Sequence, residues 1–148
     1  MSTITYLTTI AFEAGAVATL PAELSALGIR RPLVVSDHGI RAAGLLDRVL
    51  SLCPPGTTAF LDVPANPTES AAHAAVAVYR ADACDGLVAV GGGSPIDLAK
   101  AVALLATHPG PLEEYAAIYG GIPKIAAVAP VIAVPTTAGT GSEVGRAA

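Results

Sequence analysis

The stretch Leu87-Val88-Ala89-Val90-Gly91-Gly92-Gly93-Ser94-Pro95-Ile96-Asp97-Leu98-Ala99-Lys100 decides the fold of this chain. Its apolar start reads as a strand buried on both faces, three glycines end it, and a helix follows without a spacer. In that reading Ser94 is the N-cap, Pro95 takes the first helical position, and Asp97 at the third completes a Ser-x-x-Asp capping box. Glycines carry no Cβ, so backbone N–H groups and the helix N-terminus can approach an anion closely. The turn therefore predicts a phosphate cradle. Taken alone, the same run also fits a well-capped connection with no ligand.

Outward from this stretch, short apolar runs recur at residues 33–36, 59–63 and 131–134. Helical patterns fill 38–52, 68–83 and 94–107, so strands alternate with helices as in βαβ units with right-handed crossovers. The expected fold is α/β: a parallel sheet with helices on both faces. Upstream, residues 4–12 are β-prone and predict an edge strand or short hairpin. Residues 16–27 predict a helix with Pro21 in its first turn and Gly28 as its C-cap. From 108 to 130 the pattern is irregular, with a short helix expected over 112–119 and a turn at Gly120-Gly121.

Composition supports one soluble domain. The chain has 148 residues, 53% of them hydrophobic and 14% charged, with few aromatics, so Ala, Val, Leu and Ile must form the core. A domain of this size buries roughly 70% of its unfolded surface. The net charge of −4 and scattered basic residues argue against nucleic acid or an anionic membrane as partner. Prolines, threonines and glycines break the longest uncharged stretch, 125–142, which argues against a membrane span. Cys53 and Cys84 form no CxxC, and His38, His73 and His108 carry no short metal spacing. No signal peptide is evident, and a reduced, cytoplasmic setting is expected.

The segments that follow the strands carry the functional argument. After 33–36 comes Asp37; after 59–63 comes Pro64-Ala65-Asn66-Pro67-Thr68. After the third strand come the glycines and Ser94, and after 131–134 comes Pro135-Thr136-Thr137-Ala138-Gly139-Thr140-Gly141-Ser142. If the strands are parallel, all four segments line one rim, where open α/β sheets bind ligands. The glycine turn would take a pyrophosphate. Asp37 would accept from the ribose hydroxyls of an adenosine and repel a 2′-phosphate, which favours NAD over NADP. Asp37 also fits a helix cap, Thr68 reads as a cap, and Lys100 is expected to face solvent. The hydroxyl-rich segment 136–142 reads as an exposed wrap for a polar cofactor. Gly-x-Gly-x-x-Gly, a Walker A sequence and a Gly-x-Ser-x-Gly elbow are all missing, and no acid–base pair stands out.

Residues 91–101 and 135–144 closely resemble the two N-terminal signatures of the iron-containing (group III) alcohol dehydrogenases. Leu33-Val34-Val35-Ser36-Asp37 and Asn66-Pro67-Thr68 match in the same order. The resemblance spans essentially the whole chain and implies a Rossmann-like dinucleotide-binding domain over 1–148, incomplete at its C-terminal end. It implies contacts from Asp37 to the adenosine ribose and from Asn66 near the cofactor. Gly92, Gly93, Ser94 and Asp97 would hold the pyrophosphate, and Thr136, Thr137 and Thr140 would run along the nicotinamide. It further implies reversible hydride transfer between a small alcohol and NAD, giving an aldehyde or ketone, and a homo-oligomer when full length. The family's Fe2+ or other divalent metal is held by an aspartate and three histidines of an all-helical C-terminal domain, which is expected to be missing here. The 148-residue chain is therefore expected to be inactive alone. A stand-alone nucleotide-binding remnant, or half of a zinc-dependent polyol dehydrogenase relative, are the alternatives.

Overall fold

The computed structural model describes residues 2–5 and 8–145. The expected edge strand or hairpin is an antiparallel pair, β1 (Ser2–Thr5) and β2 (Thr9–Phe12), which forms a two-stranded sheet of its own. Residues 6 and 7 lie outside the described residues. The main sheet holds β3 (Pro32–Val35), β4 (Thr58–Phe60), β5 (Gly86–Gly91) and β6 (Val131–Pro135) in the order β4-β3-β5-β6. All three pairings are parallel, with Val34 opposite Val88 and Val88 opposite Ile132. Chain order reverses between β3 and β5, so the crevice at their C-terminal ends is a topological switch point.

Side-chain alternation assigns the two faces. Leu33, Val35, Leu87 and Ala89 pack against α4 (Glu69–Ala81) and α5 (Gly93–Thr107) through Ala72, Ala75, Val76, Ala99 and Val102. Val34, Val88 and Val90 pack on the other side against α1 (Leu20–Ala26) and α3 (Leu45–Leu50) through Leu20, Leu24, Leu46 and Val49. Every residue of β5 is buried. Full burial of a Val or Leu side chain contributes about 1.5–3 kcal/mol, so this strand organises the domain. Among the described residues no helix is long and apolar enough to cross a membrane.

Several local expectations need correction. The single helix expected over 38–52 is two, α2 (His38–Ala42) and α3, broken at Gly44 with φ 72°. The apolar period runs through the break because Ile40, Leu46 and Val49 all reach the same core cluster. The strand expected at 59–63 ends at Phe60, and the helix expected over 112–119 is two 3-10 turns, Leu112–Tyr115 and Ala117–Tyr119. That irregular excursion is pinned by buried His108. Its Nε2 accepts from the Ala126 N–H at 2.8 Å, so the ring proton belongs on Nδ1, 3.2 Å from the Leu104 carbonyl. Tyr115 meets the same ring edge-on, with centroids 5.3 Å apart, and its hydroxyl donates to the Pro109 carbonyl.

Helix α4 ends in a Schellman closure, with Cys84 N–H donating to the Tyr79 carbonyl and Ala83 N–H to that of Arg80. The left-handed position is Ala83, at φ 48°, where a Cβ is unfavourable by about 1 kcal/mol. Ala83→Gly is therefore expected to stabilise the fold by roughly 0.5–1 kcal/mol, seen as a higher urea midpoint; a lower midpoint would refute this account of the turn.

Candidate functional site

Parallel pairing brings the C-terminal ends of β3, β5 and β6 to one rim. Asp37, the glycine turn and Thr136–Thr137 immediately follow those ends, so the three segments share an edge. The Ser36 hydroxyl, fully buried, donates to the Val90 carbonyl at 2.8 Å and ties the two strand ends across the switch point.

Helix α5 starts two residues earlier than the capping box requires. Gly92 is the N-cap with no side-chain cap bond, Gly93 is the first helical residue, and Pro95 occupies the third position. Ser94 is thus no cap: its hydroxyl donates to the Ala65 carbonyl, drawing the loop that carries Asn66 against the glycine turn. Asp97 is likewise free of capping duty. Proline has no N–H, so the helix start exposes the N–H groups of Gly92, Gly93 and Ser94, none of which has a protein partner among the described residues. Three donors on a helix N-terminus beside a glycine turn suit an anion.

The segment after β6 lies over this turn. Thr136 N–H donates to the Gly91 carbonyl at 2.8 Å, extending the strand pairing by one bond. A Cβ on Gly92 would sit 3.2 Å from the Thr137 hydroxyl oxygen; one on Gly93 would sit 3.2 Å from Ser142 Oγ and 3.6 Å from Thr140 Cβ. Gly91 is demanded by both geometry and conformation: its φ is 150°, and a Cβ there would meet Pro95 Cγ at 2.6 Å. Residue 91 must be glycine for the strand to turn into α5 at all.

Asp37 does cap a helix, accepting from the Ile40 N–H through Oδ1 at 2.9 Å, and it is only partly buried. Capping engages one carboxylate oxygen and leaves the other for a further donor, so both expected roles fit one side chain. Thr68 caps α4 through the Ala71 N–H at 3.2 Å. Asn66 is exposed on the rim. Lys100 does not face solvent. Only 17% of its side chain is accessible, and its ammonium lies 3.1 Å from Asp97 Oδ1. Ser142, also absent from the expected set, donates to Asp97 Oδ2 at 3.2 Å. The signal for Lys100 was its helical spacing from Asp97, three residues apart on one face; Ser142, 45 positions from Asp97, carried no local signal.

The groups with altered acidity lie elsewhere. Burial pushes the Cys53 thiol up; burial, then the carboxylates of Asp82 and Asp85, pushes Cys84 up against an opposing effect of Arg31. Tyr79 is raised chiefly by burial. Cys84 lies just before β5, at the opposite rim, and Cys53 lines a cavity of about 570 Å³ there with Leu24, Gly28 and Arg30. Among the described residues, no group of three or more His, Cys, Asp and Glu side chains is placed to hold a metal ion.

The family model for iron-containing alcohol dehydrogenase matches residues 8–148. The chain is 53% identical over 150 residues to the 4-hydroxybutyrate dehydrogenase of Cupriavidus necator, covering all of this chain and 39% of that protein. It superposes on the NADH-dependent butanol dehydrogenase A of Thermotoga maritima with TM-score 0.80 and 30% identity, covering 93% of this chain and 35% of the other. The sulfoacetaldehyde reductase of Bifidobacterium kashiwanohense, solved in complex with NAD+, gives TM-score 0.79 and 30% identity, with 93% and 36% coverage. The chain thus spans little more than a third of the length of these relatives.

Two outcomes follow. Gly91→Ala is expected to destabilise the fold by about 2 kcal/mol or more, checked by chemical denaturation. The raised thiols and Tyr79 bind protons more tightly folded than unfolded, so the thiols' contribution to stability is complete below their ordinary value of about 8.5 and is lost as pH rises through their raised folded values, and that of Tyr79 is lost only at still higher pH, above about 10. The urea midpoint should fall as pH is raised from about 8 to about 10; a rising midpoint would reverse the sign.

Proposed function

Because this chain belongs to the iron-containing alcohol dehydrogenase family, we propose that it forms the coenzyme-holding part of an NAD-dependent alcohol dehydrogenase. The observation that carries the reading is the start of α5, where the N–H groups of Gly92, Gly93 and Ser94 face the rim without a protein partner among the described residues. These donors fit pyrophosphate oxygens, and residues 91–93 put no side chain of their own in the way. Asp37 accepts from the adenosine ribose with the oxygen left over from capping, and its charge repels a 2′-phosphate. Thr136, Thr137 and Thr140 lie along the nicotinamide side, with Asn66 at the margin. Lys100 balances the charge of Asp97 beside the glycine turn.

Asp37, Gly92, Gly93, Ser94, Thr136, Thr137 and Thr140 would hold the coenzyme, which would supply a hydride acceptor for oxidation of a carbinol to a carbonyl, the hydroxyl proton going to solvent. This chain's residues bind and orient the acceptor. Among the described residues no group of side chains is placed to hold the family's metal. The three relatives are named for different substrates, 4-hydroxybutyrate, butanol and sulfoacetaldehyde, and two are named with NADH or NAD+. Each is an alcohol or aldehyde. A part shared among them fits the common reagent rather than the variable substrate, and the whole protein is read as acting on a small alcohol or aldehyde.

Calorimetric titration tests this directly. The purified chain should bind NADH saturably and discriminate against NADPH. Asp37→Ser keeps an N-cap oxygen for the Ile40 N–H but removes the charge. It is expected to narrow the NADH-over-NADPH preference by about tenfold while leaving the melting temperature nearly unchanged. Absence of NADH binding, or equal affinity for both coenzymes in the unaltered chain, would overturn the reading.

A further inference from the structure

We propose that Ser142 is the latch that holds residues 136–145 as a strap over the glycine turn, with the Asp97 carboxylate as its keeper. The proposal rests on the coenzyme reading for its purpose, and on geometry alone for its existence.

The strap leaves the sheet at Thr136, whose N–H is held by the Gly91 carbonyl at 2.8 Å. Beyond that point its hydrogen bonds are largely internal. Val144 and Gly145 N–H both donate to the Gly141 carbonyl, Ser142 N–H donates to Thr140 Oγ1 at 3.3 Å, and Thr140 Oγ1 lies 3.4 Å from Glu143 Oε2. Among the described residues, the one hydrogen bond that ties 137–145 to the rest of the chain is Ser142 Oγ to Asp97 Oδ2, at 3.2 Å. Residues 135–141 are exposed, so little packing would replace that bond.

The keeper is itself held. Asp97 sits at the start of the second turn of α5 with its other oxygen 3.1 Å from the Lys100 ammonium, so both carboxylate oxygens are committed. A hydroxyl donating to an ionised carboxylate makes a stronger bond than one donating to a neutral oxygen. The latch point is also where strap and glycine turn come closest, since a Cβ on Gly93 would lie 3.2 Å from Ser142 Oγ. Pinning the strap there sets the Thr137 and Thr140 side chains above Gly92 and Gly93 before any ligand arrives. A loop ordered in advance loses less entropy on binding, which raises affinity without adding a contact. Ser142 is thus a positioning residue that acts through Asp97.

The test compares Ser142→Ala with Ser142→Thr, which keeps a hydroxyl, in the full chain. Without ligand, amide hydrogen exchange across 137–145 should quicken by about fivefold or more in Ser142→Ala. Exchange in β5 and the melting temperature should stay unchanged, and Ser142→Thr should retain slow exchange. With NADH, Ser142→Ala should raise the dissociation constant about three- to tenfold, and Ser142→Thr should restore it. Unchanged strap exchange in Ser142→Ala overturns the latch, whatever the coenzyme data say. Faster exchange with unaltered NADH affinity overturns its purpose. A chain that binds no NADH overturns the coenzyme reading, while the exchange comparison still decides the latch.

Discussion

The burial of β5 on both faces is the constraint from which the rest of this domain follows. A strand with no residue open to water must bond to neighbours along both edges and carry apolar side chains up and down. Ala89 and Leu87 then meet α4 and α5 on one side, and Val88 and Val90 meet α1 and α3 on the other. Polar chemistry has no place within such a strand, so it gathers where the strand ends. Gly91 performs the change of direction, and α5 begins directly beyond it.

At that end a glycine turn and a hydroxyl-bearing strap have complementary shapes. The glycines leave room for Thr137, Thr140 and Ser142 to come close to the backbone, and the strap's hydroxyls supply the polar surface that glycines lack. Membership of the iron-containing alcohol dehydrogenase family fits this division of labour. In the reading proposed above, this part would fix the hydride carrier common to relatives named for different substrates.

The sheet, its parallel sense and the rim were legible in the sequence because they rest on long-range repetition, four apolar runs with polar sequels. Details that depend on one hydrogen bond were not. Ser94, Pro95 and Asp97 match a capping box letter for letter, yet the helix starts at Gly93 because Ser94 is engaged by Ala65 and Asp97 by Lys100 and Ser142. Those partners lie 29 and 45 positions away for Ala65 and Ser142, beyond the reach of local pattern. Lys100 was misplaced for a different reason: its partner Asp97 is local, three residues away, but an amphipathic reading sends a lysine outward by default. Gly44 was read through because the apolar period continued on both sides of it. The two expected roles of Asp37, cap and ribose acceptor, turned out to be compatible, because a carboxylate has two oxygens.

The outermost strand, β6, has a different implication. Val131-Ile132-Ala133-Val134 pairs along one side with β5, while no described strand borders its other side. It carries no charge, and its interior has no proline or bulge to discourage an incoming partner. Such a border is adhesive: it offers a row of amide and carbonyl groups to any extended segment that arrives in register. Isolated at high concentration, this domain would therefore be prone to growing its sheet with borrowed strands, and in a longer polypeptide the same border offers the next piece of chain a template on which to align.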